Sequence, residues 1–300
     1  MSSSRQLYHG RFAPSPTGTL HFGSLLAAVA SYLQAKRNAG RWLIRIDDID
    51  PQREVTGSAA GIVRDLAAFG MHPDLEVDYQ HRRLDTYRAA CEGLVQVGRA
   101  YPCGCSRADL PPDSAYPGTC RNGLSAGKQA RSVRIRTSAT PLTFDDVIQG
   151  VQTASIEAEH GDFVIWRADD LPSYQLATAM DDATPGITEV VRGADLLDST
   201  FRQIHVQHAL GLGTPVYAHL PVATRSGVKL SKRLASDPLT ATDRVQALYA
   251  ALHFLGQHPP RGRGFADLWA WAVDAWDISR VPAVRAMDAP TNGGKPTGTL

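Results

Sequence analysis

The apolar period changes repeatedly along this chain of 300 residues, and each change marks an element. Leu7 to Phe12 reads as a short strand. Beyond a proline- and glycine-rich stretch, Leu25, Val29, Tyr32, Leu33 and Lys36 recur at helical spacing. Arg41 to Asp47 alternates, with Trp42, Ile44 and Ile46 on one face and Leu43, Arg45 and Asp47 on the other, which predicts a second strand. Strand, helix, strand makes a βαβ unit, hence a parallel sheet with a right-handed crossover. A helix is predicted over Glu54 to Phe69, with Val55, Ile62, Val63, Leu66 and Phe69 inward and Gly70 capping it, and another over Leu84 to Val97. Arg131 to Arg136 alternates with strand period, and Asp162 to Arg167 reads as a strand that restarts the sheet. Ile187 to Val191 is a near-continuous apolar run, the mark of a strand buried on both faces. A helix follows from Ser199 to Leu210, and the chain after Ala241 is mostly helical.

Composition narrows the picture. The length allows one large or two modest domains with a full core. A formal net charge of +1 gives no global field to draw nucleic acid, so RNA contacts need local patches. The first residues carry no apolar signal core and no stretch is long enough to span a membrane, so a cytoplasmic protein is expected. Of the 4 cysteines, Cys103, Cys105 and Cys120 lie close together in a loop-rich region, which suggests a metal in a reducing compartment rather than a disulfide scaffold. Three thiolates suit Zn²⁺; Asp109, Asp113 and Tyr116 are the local oxygen donors for a fourth position. Cys91, on a predicted helix, reads as buried and inert.

Three further groups carry candidate chemistry. The stretch Arg11 to Gly23 places a stiff turn with Gly18 and Gly23 between a strand and a helix, whose free N–H groups and positive dipole end suit a phosphate; His21 stands at its mouth. In parallel sheets ligands sit beyond the carboxyl ends of the strands. Asp47, Asp48 and Asp50 lie at one such end and suit either an ammonium group or a solvated turn; Arg192 lies at another and suits either a carboxylate or a structural ion pair. Arg134 and Arg136 share a strand face open to RNA phosphates or simply to water. Lys229 and Lys232, two of the few lysines in a chain rich in arginine, sit in one polar loop.

Pro14-Ser15-Pro16-Thr17-Gly18 followed by His21-Phe22-Gly23 resembles the nucleotide-binding signature of class I glutamyl- and glutaminyl-tRNA synthetases. Lys229-Leu230-Ser231-Lys232-Arg233 resembles the KMSKS loop of the same class, with leucine for methionine and arginine for the last serine. The spacing Cys103-x-Cys105, then Tyr116-x-x-x-Cys120, is similar to that of the glutamyl-Q tRNA(Asp) synthetases, which bind zinc through three cysteines and that tyrosine. The resemblance covers roughly residues 5 to 240 in collinear order.

It implies an α/β fold, a Rossmann-like doubly wound parallel sheet, divided as 1–98 (first half), 99–158 (an insertion with the zinc loop), 159–225 (second half), 226–289 (the KMSKS-like loop and a small helical region) and 290–300 (a disordered tail), with no anticodon-binding domain. It implies glutamate contacts at Arg11, Phe12, Ala13, Pro14, Ser15, Asp47, Tyr174 and Arg192, ATP contacts at Ser15, Thr17, Gly18, His21, Gly23 and Lys232, and catalytic roles for His21, Lys229 and Lys232. Where the family has glutamate at the amino-group position this chain has Asp47, one methylene shorter. The expected metal is one structural Zn²⁺ held by Cys103, Cys105, Tyr116 and Cys120. The expected reaction is activation of glutamate by Mg²⁺-ATP, then transfer to the queuosine base at the wobble position of tRNA(Asp), by a monomer. The competing readings are a truncated glutamyl-tRNA synthetase charging the 3′ end of tRNA(Glu), and a non-catalytic RNA- or nucleotide-binding paralogue.

Overall fold

A computed structural model describes residues 7–110, 115–225, 228–229 (backbone alone) and 244–289. Strand β1 (His9–Phe12), helix α1 (Phe22–Arg37) and strand β2 (Arg41–Ile46) form the expected βαβ unit, β1 pairing parallel with β2 and β2 with the short β3 (Asp78–Tyr79). On the other side of β1 lies β9 (Glu189–Gly193): the N–H of Thr188, just ahead of it, donates to the His9 carbonyl at 2.9 Å, and the His9 N–H donates to Thr188 Oγ1 at 3.0 Å. β10 (Val216–Leu220) runs parallel to β9 and to β6 (Leu142–Asp146), and β7 (Gly150–Ala154) closes that edge antiparallel to β6. The order β3-β2-β1, then β9-β10-β6-β7, is that of a doubly wound sheet. Its growth reverses between β1 and β9, where such sheets open a crevice for ligands.

Both faces of this sheet are covered, and the strand residues alternate between two cores. Val191 and Ala218 join α1, Trp42 and Ile44 on one face, while Val190 and Tyr217 pack with Ile204 of α6 (Leu197–Leu210) and with Leu43 on the other. That double burial explains the continuous apolar run at β9. Helices α7 (Arg244–Phe254) and α8 (Phe265–Ala275) share the α1 core. The ring of Phe254 meets Phe22 edge-on, and the Trp276 indole N–H donates to Gln34 Oε1 at 2.7 Å. No helix among the described residues is long and apolar enough to cross a membrane.

Four elements differ from the sequence reading. Helix α2 spans Ser58–Ala68 rather than starting at Glu54. Gly57 stands at its N-cap with φ 77°, and Val55 is half exposed, its N–H donating to the Pro16 carbonyl at 2.9 Å. Those residues hold a loop instead of extending a helix. Strand β8 (Phe163–Trp166) does not restart the parallel sheet. It pairs antiparallel with β5 (Ser132–Ile135), which pairs with β4 (Ala100–Cys103), in a separate three-stranded sheet packed under α3 (Leu84–Gln96) and α5 (Tyr174–Ala183). An apolar run identifies a strand but not its partner. Conversely β6, inside the span read as an insertion, belongs to the main sheet. Finally, β13 (Ala286–Asp288), which has no apolar alternation to mark it, pairs parallel with β11 (Val222–Arg225), whose other neighbour is the backbone of β12 (Val228–Lys229).

Candidate active site and metal centre

The crevice at the β1/β9 reversal has a volume of about 400 Å³. Its floor and walls include Arg11, Phe12, Ala13, Pro14, Ser15, Thr17, His21 and Gly23 from the first strand–helix connection, and Tyr174 and Arg192 from the second half of the chain. Arg11 and Arg192, far apart in sequence, converge there because β1 and β9 are neighbours. Asp195, Leu220 and Val222, which the sequence reading did not single out, also line it. Asp195 follows the end of β9 so closely that a Cβ on Gly193 would lie 2.4 Å from Asp195 Oδ1. A larger residue at that position would push the carboxylate aside.

The turn from Ala13 to His21 is held from outside. The Asp47 N–H donates to the Pro14 carbonyl at 3.0 Å, and Val55 to Pro16 as above. Ser58 Oγ accepts from the Gly18 N–H at 3.0 Å and donates to the Gly18 carbonyl at 2.7 Å, so one hydroxyl clamps both backbone groups of that glycine. Gly18 adopts φ 130°, a conformation side chains disfavour. His21 is the N-cap of α1: its Nδ1 accepts from the Gly23 N–H at 3.1 Å. A neutral imidazole so bound carries its proton on Nε2, the nitrogen able to donate to an anion at the helix end.

The ionisable side chains around the crevice fall into two buried networks. In the first, Arg11 Nε and Nη2 donate to the two carboxylate oxygens of Asp182 at 3.0 and 3.2 Å, and Arg45 Nη1 donates to Asp182 Oδ1 at 2.7 Å. Arg45 Nε donates to Asp47 Oδ1 at 2.7 Å. Burial opposes ionisation of Asp182, but the charges of Arg11 and Arg45 overcome it and hold the carboxyl at about 2. For Asp47 burial outweighs Arg45 and pushes the carboxyl up to about 6. Asp47 is not among the crevice-lining residues; its carboxylate is turned to Arg45 instead. In the second network, Arg192 Nε donates to His219 Nε2 at 3.1 Å, and Nη2 donates to Thr200 Oγ1 and Gln203 Oε1, both at 2.7 Å. Arg192 Nη1 is buried with no protein partner. Such a group costs free energy unless a ligand completes it.

Lys232 lies outside the described residues. Of Lys229 only the backbone is described, in β12 opposite Thr224.

A second cluster lies beyond β4. The sulfurs of Cys103, Cys105 and Cys120 are within 4.8 Å of one another and all three residues are buried. The Tyr116 hydroxyl lies 3.5 Å from Cys103 Sγ and 3.7 Å from Cys105 Sγ, and Cys105 Sγ lies 3.6 Å from Cys120 Sγ. Zinc–sulfur bonds of about 2.3 Å at tetrahedral angles put thiolates about 3.8 Å apart, so the set fits a small tetrahedral metal site. Cys91 is buried on α3, away from the cluster, and burial pushes its thiol up to about 12. Gly161 makes the cluster possible: at φ 63° it pairs with Tyr116, and a Cβ there would sit 2.3 Å from the Tyr116 carbonyl. Arg134 does not offer its charge to RNA. It is buried, its guanidinium stacks 3.8 Å from the Tyr116 ring centroid, and its Nε donates to Cys103 Sγ at 3.4 Å. Arg136 donates to the Arg121 carbonyl at 2.7 Å. Strand alternation placed these two on one face; Arg134 there covers the thiol cluster, and Arg136 lies over the Tyr101 ring.

The catalytic-domain family of tRNA synthetases class I (E and Q) matches residues 8–113 and 117–253. Glutamyl-Q tRNA(Asp) synthetases from Aromatoleum aromaticum and Dechloromonas aromatica are 48% and 49% identical to the chain, covering 94% and 92% of it and 93% and 96% of their own lengths. The chain belongs to the glutamyl-Q tRNA(Asp) synthetases. A glutamate tRNA ligase from Elizabethkingia meningosepticum, solved with its amino acid, superposes with a TM-score of 0.77 at 25% identity, over 94% of this chain and 67% of that one. Membership makes the chain a class I synthetase-type ligase, and the doubly wound sheet is that class's catalytic fold.

Proposed function

We propose that the chain joins glutamate to ATP without tRNA, forming glutamyl-AMP and pyrophosphate, and then transfers the glutamyl group to queuosine at the wobble position of tRNA(Asp). The observation that carries the first step is the pairing, in one crevice, of His21 at a helix N-terminus with Arg192, whose buried Nη1 lacks a protein partner. The first suits a phosphate and the second a carboxylate, and an acyl adenylate needs both.

The glutamate carboxylate attacks the α-phosphorus in line, and no covalent enzyme intermediate is required. The work of the protein is positioning and charge stabilisation. His21 Nε2 donates to the α-phosphate region, and the backbone from Ser15 to Gly18 and Gly23 cradles ATP with its Mg²⁺. Phe12, Ala13 and Pro14 shape the pocket, and Tyr174 covers the amino acid. Arg11 and Arg192 supply cations to a substrate with two carboxylates. Lys229 and Lys232 neutralise departing pyrophosphate on the strength of their loop's resemblance. Asp47 serves the amino group only if that group competes with Arg45 for its carboxylate. Cys103, Cys105, Cys120 and Tyr116 would hold one structural Zn²⁺, which would take no part in the reaction. The enzyme acts as a cytoplasmic monomer.

The acceptor is tested by supplying labelled glutamate and ATP with bulk tRNA from cells with and without queuosine. Label on queuosine-containing tRNA alone is the expected result. Equal label on both preparations would instead mean charging of tRNA(Glu).

A further inference from the structure

Resting on the reading of Arg192 as a ligand of a glutamate carboxylate, we infer that Asp146 and His219 are positioning residues, aiming Arg192 by fixing which imidazole nitrogen carries the proton. Asp146 closes β6 and His219 lies in β10, directly across from Arg192 in the ladder with β9. All three are buried. Asp146 Oδ1 accepts the backbone N–H groups of Ile148, Gln149 and His219 at 3.0, 2.8 and 3.1 Å. Its Oδ2 lies 2.5 Å from His219 Nδ1. An ionised carboxylate only accepts, so Nδ1 donates, and the lone pair of the neutral ring falls on Nε2. That lone pair accepts from Arg192 Nε at 3.1 Å, and the Thr200 hydroxyl oxygen lies beside the same nitrogen, also at 3.1 Å.

The rest of the guanidinium is fixed as tightly. Nη2 is bound by Thr200 and Gln203, and Thr200 Oγ1 in turn donates to the Leu196 carbonyl at 3.1 Å. Three acceptors thus lock the plane of Arg192, which lines the crevice, and leave its buried Nη1 as the one guanidinium nitrogen without a protein partner. Burial, reinforced by the charge of Arg192, drives the His219 imidazole toward its neutral form despite Asp146. A protonated ring would set an N–H against the Arg192 N–H and a second cation beside it. Only the Nδ1–H tautomer serves, and Asp146 is what selects it.

Asp146→Asn tests this. The amide oxygen still accepts the three backbone groups, but the amide nitrogen now faces Nδ1 and forces the proton onto Nε2, donor against donor with Arg192. Nitrogen NMR of the histidine in the whole protein should report Nδ1–H in the wild type and Nε2–H in the variant. Glutamate-dependent ATP–pyrophosphate exchange should show the KM for glutamate raised by about tenfold with the KM for ATP within about twofold. His219→Gln, whose amide oxygen accepts at the Nε2 position, should stay near the wild-type KM for glutamate, whereas His219→Leu should not; this pair decides the matter if Asp146→Asn fails to fold. An Nε2–H proton in the wild type overturns the inference, as does an unchanged KM for glutamate in Asp146→Asn or His219→Leu. Arg192→Gln separates the two ideas: an unchanged KM for glutamate there removes the carboxylate reading itself, whereas a rise there without one in Asp146→Asn removes only the relay.

Discussion

Arg11 in the first strand and Asp182 near the end of α5 meet in a two-pronged ion pair across 171 residues of sequence, with Nε–Oδ1 and Nη2–Oδ2 distances of 3.0 and 3.2 Å. Both side chains are almost wholly buried. Arg11 therefore reaches the crevice already anchored on one side, and Asp182 ties α5 to β1 and β2 through Arg11 and Arg45 together. The pair gives the site its rigidity, at the cost of two desolvated charges that depend on each other.

Asp182→Asn should destabilise the protein by about 3–5 kcal/mol in urea unfolding at neutral pH, because two buried arginines lose their shared carboxylate. The acid limb should change as well. With its folded value near 2, Asp182 binds protons more tightly when unfolded. Its stabilisation is present above the ordinary carboxylate value of about 4 and is lost as pH falls through about 2. Wild-type stability should drop across that window, and the drop should be shallower in Asp182→Asn. An equally steep drop in the variant would place the acid sensitivity elsewhere.

His21 holds two roles that substitution can separate. Asparagine can still accept the Gly23 N–H and so cap α1, but it lacks a donor at the Nε2 position. His21→Asn should leave the melting temperature nearly unchanged while lowering glutamate-dependent pyrophosphate exchange by about 10²–10³. His21→Ala should lose the exchange and about 1 kcal/mol of stability besides. Exchange retained in His21→Asn would remove the residue from the reaction.

Arg134 lies against the thiol cluster and bears on how tightly it holds metal. Burial opposes the Cys103 thiolate, but hydrogen bonds from Tyr116, the Cys105 backbone and Arg134 bring the thiol down to about 7. Elemental analysis of the purified protein should find about one zinc per chain. Chelator competition should then show zinc held about 10–100-fold less tightly in Arg134→Leu, which leaves every ligand in place. Tyr116→Phe should also weaken binding, and Cys120→Ser should abolish it. Zinc absent from the wild type would remove the assignment of this cluster.

What the sequence revealed, and what it hid, follows from the physics of each residue. The Arg11–Gly23 stretch was legible because a backbone cradle for phosphate demands unusual residues at fixed local spacing. The thiol cluster was legible for the same reason, with three soft ligands within 18 positions. Asp146 and His219 were not, because their pairing spans 73 residues and a buried histidine on a strand has no local mark. The turning of Asp47 toward Arg45 was equally hidden: alternation put both on one face, but the face is filled by Asp181 and Asp182, more than 130 residues further on. Strand partners were the weakest point, as β8 shows. Gly161 carries no local mark in the sequence, and the approach of the Tyr116 backbone explains it.

Ser58 yields a prediction that depends on geometry alone. Its hydroxyl binds both the N–H and the carbonyl of Gly18, in a turn where ATP is expected to lie. The residue opens α2, so alanine there keeps the helix and removes only the clamp. Because the Gly18 groups lie near the surface, water can replace the lost bonds, and the cost in stability should stay below about 1 kcal/mol. The conformation of Gly18 would then have to be selected each time ATP binds, so Ser58→Ala should raise the KM for ATP about 3–10-fold while the KM for glutamate holds. Threonine, which retains the hydroxyl, should restore ATP affinity. Equal changes in both KM values, or none in either, would mean that Ser58 merely starts a helix and that the Pro14–Gly18 turn is held by its own prolines and by the Asp47 and Val55 backbone.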